Sequence, residues 1–283
     1  MDGFYIGYKP VGISSSKFVL DISKSLNTKA GHTGTLDLEA EGIMIIALGQ
    51  ATKYTQYFNV LPKIYETKGM LGIKTDTQDI SGNVIQKIED VNITCEELKS
   101  TIEKFKGKIT QIPPIYSAKK INGKKAYKLA RKNQVQSIEL KPITVNVYSI
   151  ELLECNIPEF YTKAVVSTGT YIRTLINDIG DTLKVGATTL IIKRTAVGKF
   201  GNESVGKIYS IEDGLYFIPS LLLKDDIVRR LKHGKVIKYE AKDGVYKLLS
   251  EDGMFHGVVE VKDNVLKALR MQSQEDKNHI DKI

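Results

Sequence analysis

The residues with the strongest claim on chemistry lie in one short loop. GHTGTLD (31–37) sets two glycines three positions apart, flanks them with hydroxyls and a histidine, and ends on Asp37. Glycines let a backbone pass close to a ligand, and a carboxylate presented there can serve as nucleophile or proton acceptor. The loop is not a phosphate-binding Walker sequence, because no Gly-Lys-Ser/Thr follows, and it lacks the GxGxxG of a dinucleotide site. Read alone, it is equally a structural turn in which Asp37 caps the next element. The four histidines (His32, His233, His256 and His279) show no HExxH or HxE…PCxxC arrangement, which sets aside a zinc deaminase. Cys95 and Cys155, with no CxxC, predict neither a disulfide framework nor a zinc site and read as small core residues.

Several elements must position that loop. Lys17–Leu26 reads as a helix capped by Ser15 or Ser16, with Phe18, Ile22 and Leu26 recurring every four residues. After Asp37, the apolar run Ile43–Leu48 suits a buried strand, and Tyr65–Ile73 suits another, closed by the turn TDTQDISG (75–82) that carries Asp76. Thr94 and Glu97 form a capping box for a helix bearing Leu98, Ile102 and Phe105. Pro113 and Pro114 close that region, and a short basic helix is expected over 124–132. Ile143, Val145 and Val147 alternate as in a strand, and Lys163–Ser167 is similar. Tyr171–Leu183 reads as a helix whose Ile172, Leu175, Ile176, Ile179 and Leu183 share one face, leaving Arg173 off that stripe. From about residue 225, short strand-like pieces alternate with Asp-Gly turns at 243–244 and 252–253. The pattern is α+β, with a main domain over 1–215 and a small β-rich module over 216–283 that ends in a frayed polar tail.

A net charge of +8 in 283 residues points to a polyanionic partner, and its distribution is sharper than its average. Residues 104–141 hold eleven Lys/Arg against the single acid Glu139, threaded with Tyr116 and Tyr127, which suits phosphate contact and base stacking. No apolar run reaches the roughly 18 residues of a membrane span, and the N-terminus lacks a secretory pattern, so a cytoplasmic protein is expected.

A central motif and five others collinear with it add a family. KPVGISS (9–15), GHTGTLDLEAEGIMIIALGQATK (31–53), KIYETKGMLGIKTDTQDISG (63–82), PPIYSAKKINGKKAYKLAR (113–131) and GTYIRTLINDIG (169–180), followed by IIKRTAVGKF (191–200), closely resemble the bacterial tRNA pseudouridine-55 synthases of the TruB family. The resemblance covers roughly residues 4–200. It implies a mixed, largely antiparallel sheet with flanking helices, and residues 253–271 resemble the PUA-type RNA-binding module that many such enzymes carry.

The same resemblance implies an isomerase that converts uridine to pseudouridine at position 55 in the T-loop of tRNA, by base flipping and without cofactor or metal. Asp37 matches the catalytic aspartate, Arg173 the arginine that pairs with it, and Tyr65 the tyrosine that stacks on the target uracil. His32 matches the histidine that fills the space vacated by the flipped base. Tyr171 and Ile192 match substrate-pocket residues, Asp76 an acid near the pocket, and Lys53 a contact to the flipped nucleotide's phosphate. Residues 104–141 would grip the T-arm, and the enzyme is expected to be a monomer. One stretch departs from the family: where Pro-Leu-Ala-Thr-Gly usually follows the aspartate, this chain has Leu38-Glu39-Ala40-Glu41-Gly42. Loss of the proline should loosen the turn, and two acids enter where RNA must approach. The alternatives are a non-catalytic tRNA chaperone, a member of the same family with another RNA target, and a nucleic-acid glycosylase. Retention of Asp37 with Arg173 argues against the chaperone, and release of free base would mark the glycosylase.

Overall fold

The computed structural model describes residues 1–114 and 141–273, together with the backbone of two short strands at 120–121 and 124–125. In chain order the elements are β1 (Gly3–Lys9), α1 (Ser15–Ser25), β2 (Ala30–His32), β3 (Ala40–Leu48), a 3-10 stretch (Gly49–Val60), β4 (Lys63–Leu71), β5 (Ile73–Thr75), β6 (Val84–Lys87), α2 (Cys95–Glu103) and β7 (Gly107–Gln111). They continue with β8 (Lys120–Ile121), β9 (Lys124–Lys125), β10 (Ile143–Asn156), β11 (Glu159–Val166), α3 (Ile172–Thr182), β12 (Ala187–Val197) and β13 (Ile208–Tyr209). A short α4 (Ile211–Gly214) leads to β14 (Ser220–Leu223), α5 (Asp225–Lys232), β15 (Ile237–Lys238), β16 (Gly244–Ser250), β17 (Phe255–Lys262) and β18 (Val265–Met271).

The main sheet runs β13-β1-β3-β12-β4-β11-β10-β7, with β2 added along β3. Every pairing in it is antiparallel except β12 with β3, so the sheet is mixed and largely antiparallel, as expected. The continuous apolar run of β3 has a simple cause, because both its faces are covered. Met44, Ile46 and Leu48 face a core shared with α1, α2 and α3. Ile43, Ile45 and Ala47 face a second core made with Phe4, Ile6, the 3-10 stretch (Tyr54, Phe58) and Val258 of β17. Alternating residues of one strand thus serve two layers. A smaller sheet, β14-β16-β17-β18-β15, spans residues 220–271 around Leu231, Leu248, Val259 and Leu266. The main sheet's last strand ends at Tyr209 and the smaller sheet begins at Ser220.

Some local expectations shift. The first helix is capped by Ser14, whose side chain accepts from the Lys17 amide, one residue before the expected caps. The Thr94–Glu97 capping box forms in full. Lys124–Lys125 pair as β9 with β8 rather than opening a helix, and the rest of the expected 124–132 helix lies outside the described residues. So does most of the basic segment 104–141. The cysteines do not sit as separate core thiols: Cys95 on α2 and Cys155 on β10 are disulfide-bonded, joining a helix to the sheet across 60 positions. Sequence separation alone gave no sign of it, because the fold brings the two elements together. No helix is long and apolar enough to cross a membrane among the described residues.

Candidate active site

The loop that carries Asp37 is pinned at almost every residue by its backbone. The Thr33 amide donates to the Ile45 carbonyl. Arg194 of β12 donates to the carbonyls of Gly34 (3.2 Å) and Thr35 (3.3 Å). Ser15, at the start of α1, both accepts from the Leu36 amide (2.8 Å) and donates to its carbonyl (2.6 Å). The Gly12 amide and the Lys9 ammonium both reach the Leu38 carbonyl (2.9 and 3.4 Å). The turn that has Leu38 in place of the expected proline is held at this carbonyl by two groups of the KPVG stretch. Between these fixed points the Asp37 side chain stands 42% exposed.

Arg173 meets it from α3. The apolar stripe of that helix (Ile172, Leu175, Ile176, Ile179) is buried in the core. Each such side chain contributes roughly 1.5–3 kcal/mol, enough to fix the helix while its one guanidinium turns the other way. Nη2 lies 3.0 Å from Asp37 Oδ2, and Nη1 lies 3.1 Å from Asp79 Oδ2 and donates to the Thr77 carbonyl at 2.9 Å. Arg173 is 5% exposed and Asp79 9%. The other oxygen of Asp79 accepts from the Thr77 hydroxyl and from the Ser81 amide and hydroxyl. Asp79 is thus fixed by its own turn and holds the arginine, which in turn aims Asp37. Charge-assisted bonds to a buried guanidinium are short and directional, so one planar group orients both carboxylates.

A cavity of about 270 Å³ opens beside Asp37 and is lined by Gly34, Thr35, Lys63, Tyr65, residues 168–173, Ile192 and Arg194 among others. That volume falls just below the roughly 300–1,000 Å³ usual for drug-sized ligands, the scale of a single nucleobase. Of the residues expected from sequence, the structure gathers Asp37, Arg173, Tyr65, Tyr171 and Ile192 around this space. Tyr171 is held at the entry of α3 by Gln111 of β7, whose amide group donates to the Tyr171 carbonyl and accepts from its N–H. His32 lies on β2 opposite Ile46 and is not among the lining residues. Lys53 is exposed on the 3-10 stretch, where its ammonium reaches the Ser273 hydroxyl at 3.1 Å. Asp76 does not line the cavity either; its carboxylate accepts from the amide and side chain of Asn83 and closes the 75–83 turn.

Three charged groups of the site escaped the sequence reading. Asp79, three residues after Asp76 in the same TDTQD, is the acid that the turn delivers to Arg173. Arg194 is 1% exposed and donates to the Ile43 carbonyl (2.7 Å) and the Tyr65 hydroxyl (3.4 Å) besides the loop. Lys63 is 7% exposed, donates to the Thr168 hydroxyl at 2.5 Å, and is pushed down to about 8 by burial and then by the nearby Arg194. Strand alternation held the signal for both cations: Lys63 shares a face with Tyr65, and Arg194 with Ile192. Among the described residues no three His, Cys, Asp or Glu side chains are grouped to hold a metal ion.

A family model, TruB family pseudouridylate synthase (N terminal domain), matches residues 23–172. The tRNA pseudouridine synthase B of Aquifex aeolicus is 37% identical over 96% of this chain and 99% of its own length. The chain belongs to the TruB family of pseudouridylate synthases. Its activity is therefore that of an isomerase that converts uridine to pseudouridine. The tRNA pseudouridine synthase B of Clostridium kluyveri is 36% identical, with the same coverage of both chains. Among solved structures, an H/ACA RNP bound to a substrate RNA containing 2′-deoxyuridine matches with a TM-score of 0.73 at 22% identity, covering 97% of this chain and 86% of that one. A Cbf5-Nop10-Gar1 complex matches at 0.70 and 24%, covering 92% and 78%. At these identities the two structures establish the shared TruB-type fold and nothing finer.

Proposed function

We propose that this TruB-family chain isomerises uridine 55 in the T-loop of tRNA, with Asp37 as the reacting carboxylate. The tRNA substrate is supported by the names of its relatives, both tRNA pseudouridine synthase B. The observation that carries the residue assignment is the setting of Asp37. Its carboxylate faces a base-sized cavity from a loop that is otherwise immobilised, and a buried guanidinium aims it. The target base turns out of its stack, at a cost on the order of a few kcal/mol, and lies against Tyr65, between Tyr171 and Ile192. Asp37 then either bonds to the reacting nucleotide or takes a proton from its sugar. Arg173 and Asp79 hold that carboxylate in one orientation, so little of the binding energy goes into arranging it.

His32 fills the gap left in the T-loop, Lys53 meets the nucleotide's phosphate, and Asp76 supports the turn beside the pocket. Residues 1–215 form the catalytic domain, 104–141 grip the T-arm, and 216–283 are a PUA-like RNA-binding module. The enzyme works as a monomer in the cytoplasm, without cofactor or metal. Phosphate contacts release counterions, so RNA binding should weaken steeply as salt rises; a flat salt response would remove the gripping role of 104–141.

The deciding experiment is tritium release from a T-arm stem-loop labelled at C5 of its uridines, with wild type against Asp37→Asn. Release by the wild type alone, with equal RNA binding by the variant, is expected. Binding without release by a folded wild type would move the target elsewhere or leave a binding protein, and free uracil in the products would mean a glycosylase.

A further inference from the structure

Two lysines are buried in this part of the fold, and they are not alike. Lys9 is fully buried, and its ammonium donates to three backbone carbonyls, those of Pro10, Ile13 and Leu38. All three of its protons are used, and its role is architectural. Lys63 lines the cavity, and among the described residues its one acceptor is the Thr168 hydroxyl. No described carboxylate lies within ion-pairing distance of it. An ammonium has three protons to donate, and burying one without partners is costly. The cost needs an explanation that architecture does not provide.

Charge counting sharpens the question. Asp37 and Asp79 flank Arg173, while Lys63 of β4 and Arg194 of β12 line the same cavity. Counting the buried Asp79 together with the lining groups Asp37, Lys63, Arg173 and Arg194, the described charges come to one more positive than negative, although a uridine base enters neutral. The excess fits a species that is negative only during the reaction. When the N1–C1′ bond breaks heterolytically, its electron pair stays with the uracil ring and spreads over N1 and the two carbonyl oxygens. C1′ is compensated by a bond to an Asp37 oxygen, or by loss of the C2′ proton to Asp37. Recombination returns the pair to the new C5–C1′ bond. Any borrowed C2′ proton goes back, C5 loses its proton and N1 gains one, so no further reactant is needed.

We propose that Lys63 holds this negative charge by donating to a carbonyl oxygen of the departing uracil ring, with Thr168 as its positioning residue. The inference rests on the reading above that the flipped base lies against Tyr65. Lys63 and Tyr65 are residues i and i+2 of β4 and so lie on one face, about 7 Å apart along the strand, a span one pyrimidine can bridge. A phosphate is a poorer occupant. It would have to lose its water to reach a group this deep, whereas an exposed lysine would meet a phosphate without that loss. Burial lowers the ammonium to about 8, so the cationic form that the role requires is lost as pH rises through that value. The titratable and charged groups that share its cavity are Asp37 on the loop, Tyr65 on β4, Arg173 on α3 and Arg194 on β12.

The test is the single-turnover rate of pseudouridine formation in a T-arm stem-loop, for wild type, Lys63→Met and Lys63→Arg, from about pH 6 to about pH 10, with RNA affinity measured at several salt concentrations. Lys63→Met should lose on the order of 10²-fold or more in rate, the usual effect of removing a donor to developing negative charge, while RNA affinity stays unchanged. The wild-type rate should fall above about pH 8, and Lys63→Arg, whose guanidinium keeps its proton, should lose that fall. With 5-fluorouridine at the target, the Lys63→Met defect in glycosidic cleavage should shrink, because the fluorinated ring carries negative charge more readily. A folded Lys63→Met with wild-type rate would overturn the proposal. So would a variant whose rate at saturation is intact but whose affinity and salt dependence drop, which would make Lys63 a phosphate contact. Should Lys63→Met fail to fold, the two pH profiles decide instead: equal high-pH limbs in wild type and Lys63→Arg would sink the idea. An inactive wild type would fail the reading of the substrate itself, and this inference with it.

Discussion

The two walls of the cavity are built on opposite electrical plans. On the α3 side, Arg173 stands between Asp37 and Asp79, and Asp79 is saturated by donors from its own turn. On the β4/β12 side, Lys63 and Arg194 are buried with hydroxyls and carbonyls as their described partners. The first arrangement fixes a direction, because opposite charges in contact select one geometry. The second leaves a positive potential that a ligand can use. A site that must aim a permanent carboxylate and also receive a transient anion needs both.

The largest effect should come from breaking the first wall at its tip. Asp37→Asn keeps shape and removes the reacting charge, and should cost at least about 10⁴-fold in single-turnover rate, with RNA affinity retained in a filter-binding assay. Asp79→Asn acts one step back: it leaves Arg173 with a single carboxylate and lets Asp37 wander. Misplacement on that scale costs about 10²-fold in rate, and breaking a buried ion pair costs about 3 kcal/mol in chemical denaturation. A rate loss without any stability loss would mean that Asp79 does not hold the arginine.

The second wall can be disturbed from behind. Gly42 sits at φ +119°, and a Cβ there would lie 2.2 Å from the Arg194 carbonyl across the parallel β3–β12 pairing. Gly42→Ala should therefore cost on the order of 1–3 kcal/mol and slow the reaction by displacing Arg194; unchanged thermal unfolding would show that the close approach is dispensable. The smallest effect serves as a control away from both walls. Burial raises Asp178 of α3 to about 6, with Asp181 adding to the rise, so the folded chain binds that proton more tightly than the unfolded chain does. That contribution is complete at low pH and is lost as pH climbs through about 6. Asp178→Asn mimics the protonated form and should gain on the order of 1 kcal/mol above pH 7, reduced by screening of a partly exposed group, with no gain near pH 4 and no change in rate.

What was legible beforehand followed the physics that sequence records. The 3.6-residue stripe of α3 set Arg173 apart from the apolar face, and the Thr94–Glu97 box announced α2. Family resemblance supplied Asp37, Tyr65, Tyr171 and Ile192 as a set. Less legible were choices settled in three dimensions. In TDTQD, either aspartate could have faced the helix. The selection is made by a turn in which Gln78 takes φ +63° and binds Thr174 of α3, which leaves Asp76 to Asn83 and hands Asp79 to Arg173. Nothing in the sequence marked Lys63, which precedes the strand expected over Tyr65–Ile73, because its burial depends on the pairing with β12 and the contact with Thr168. The disulfide depends on α2 meeting β10, sixty positions away.

The loop around Asp37 is gripped mainly by its peptide groups: the carbonyls of Gly34, Thr35, Leu36 and Leu38 and the amides of Thr33 and Leu36 take the bonds that shape it. Peptide groups are the same whatever the side chain, so the identity of the exposed Leu38 is only weakly coupled to the shape of the turn, whereas Ala40 is fully buried in the core. Such a position can take another side chain while the carboxylate beside it stays in place, so a leucine fits where the resembled pattern has a proline. Sequence novelty next to the reacting group is, in this architecture, a record of tolerance.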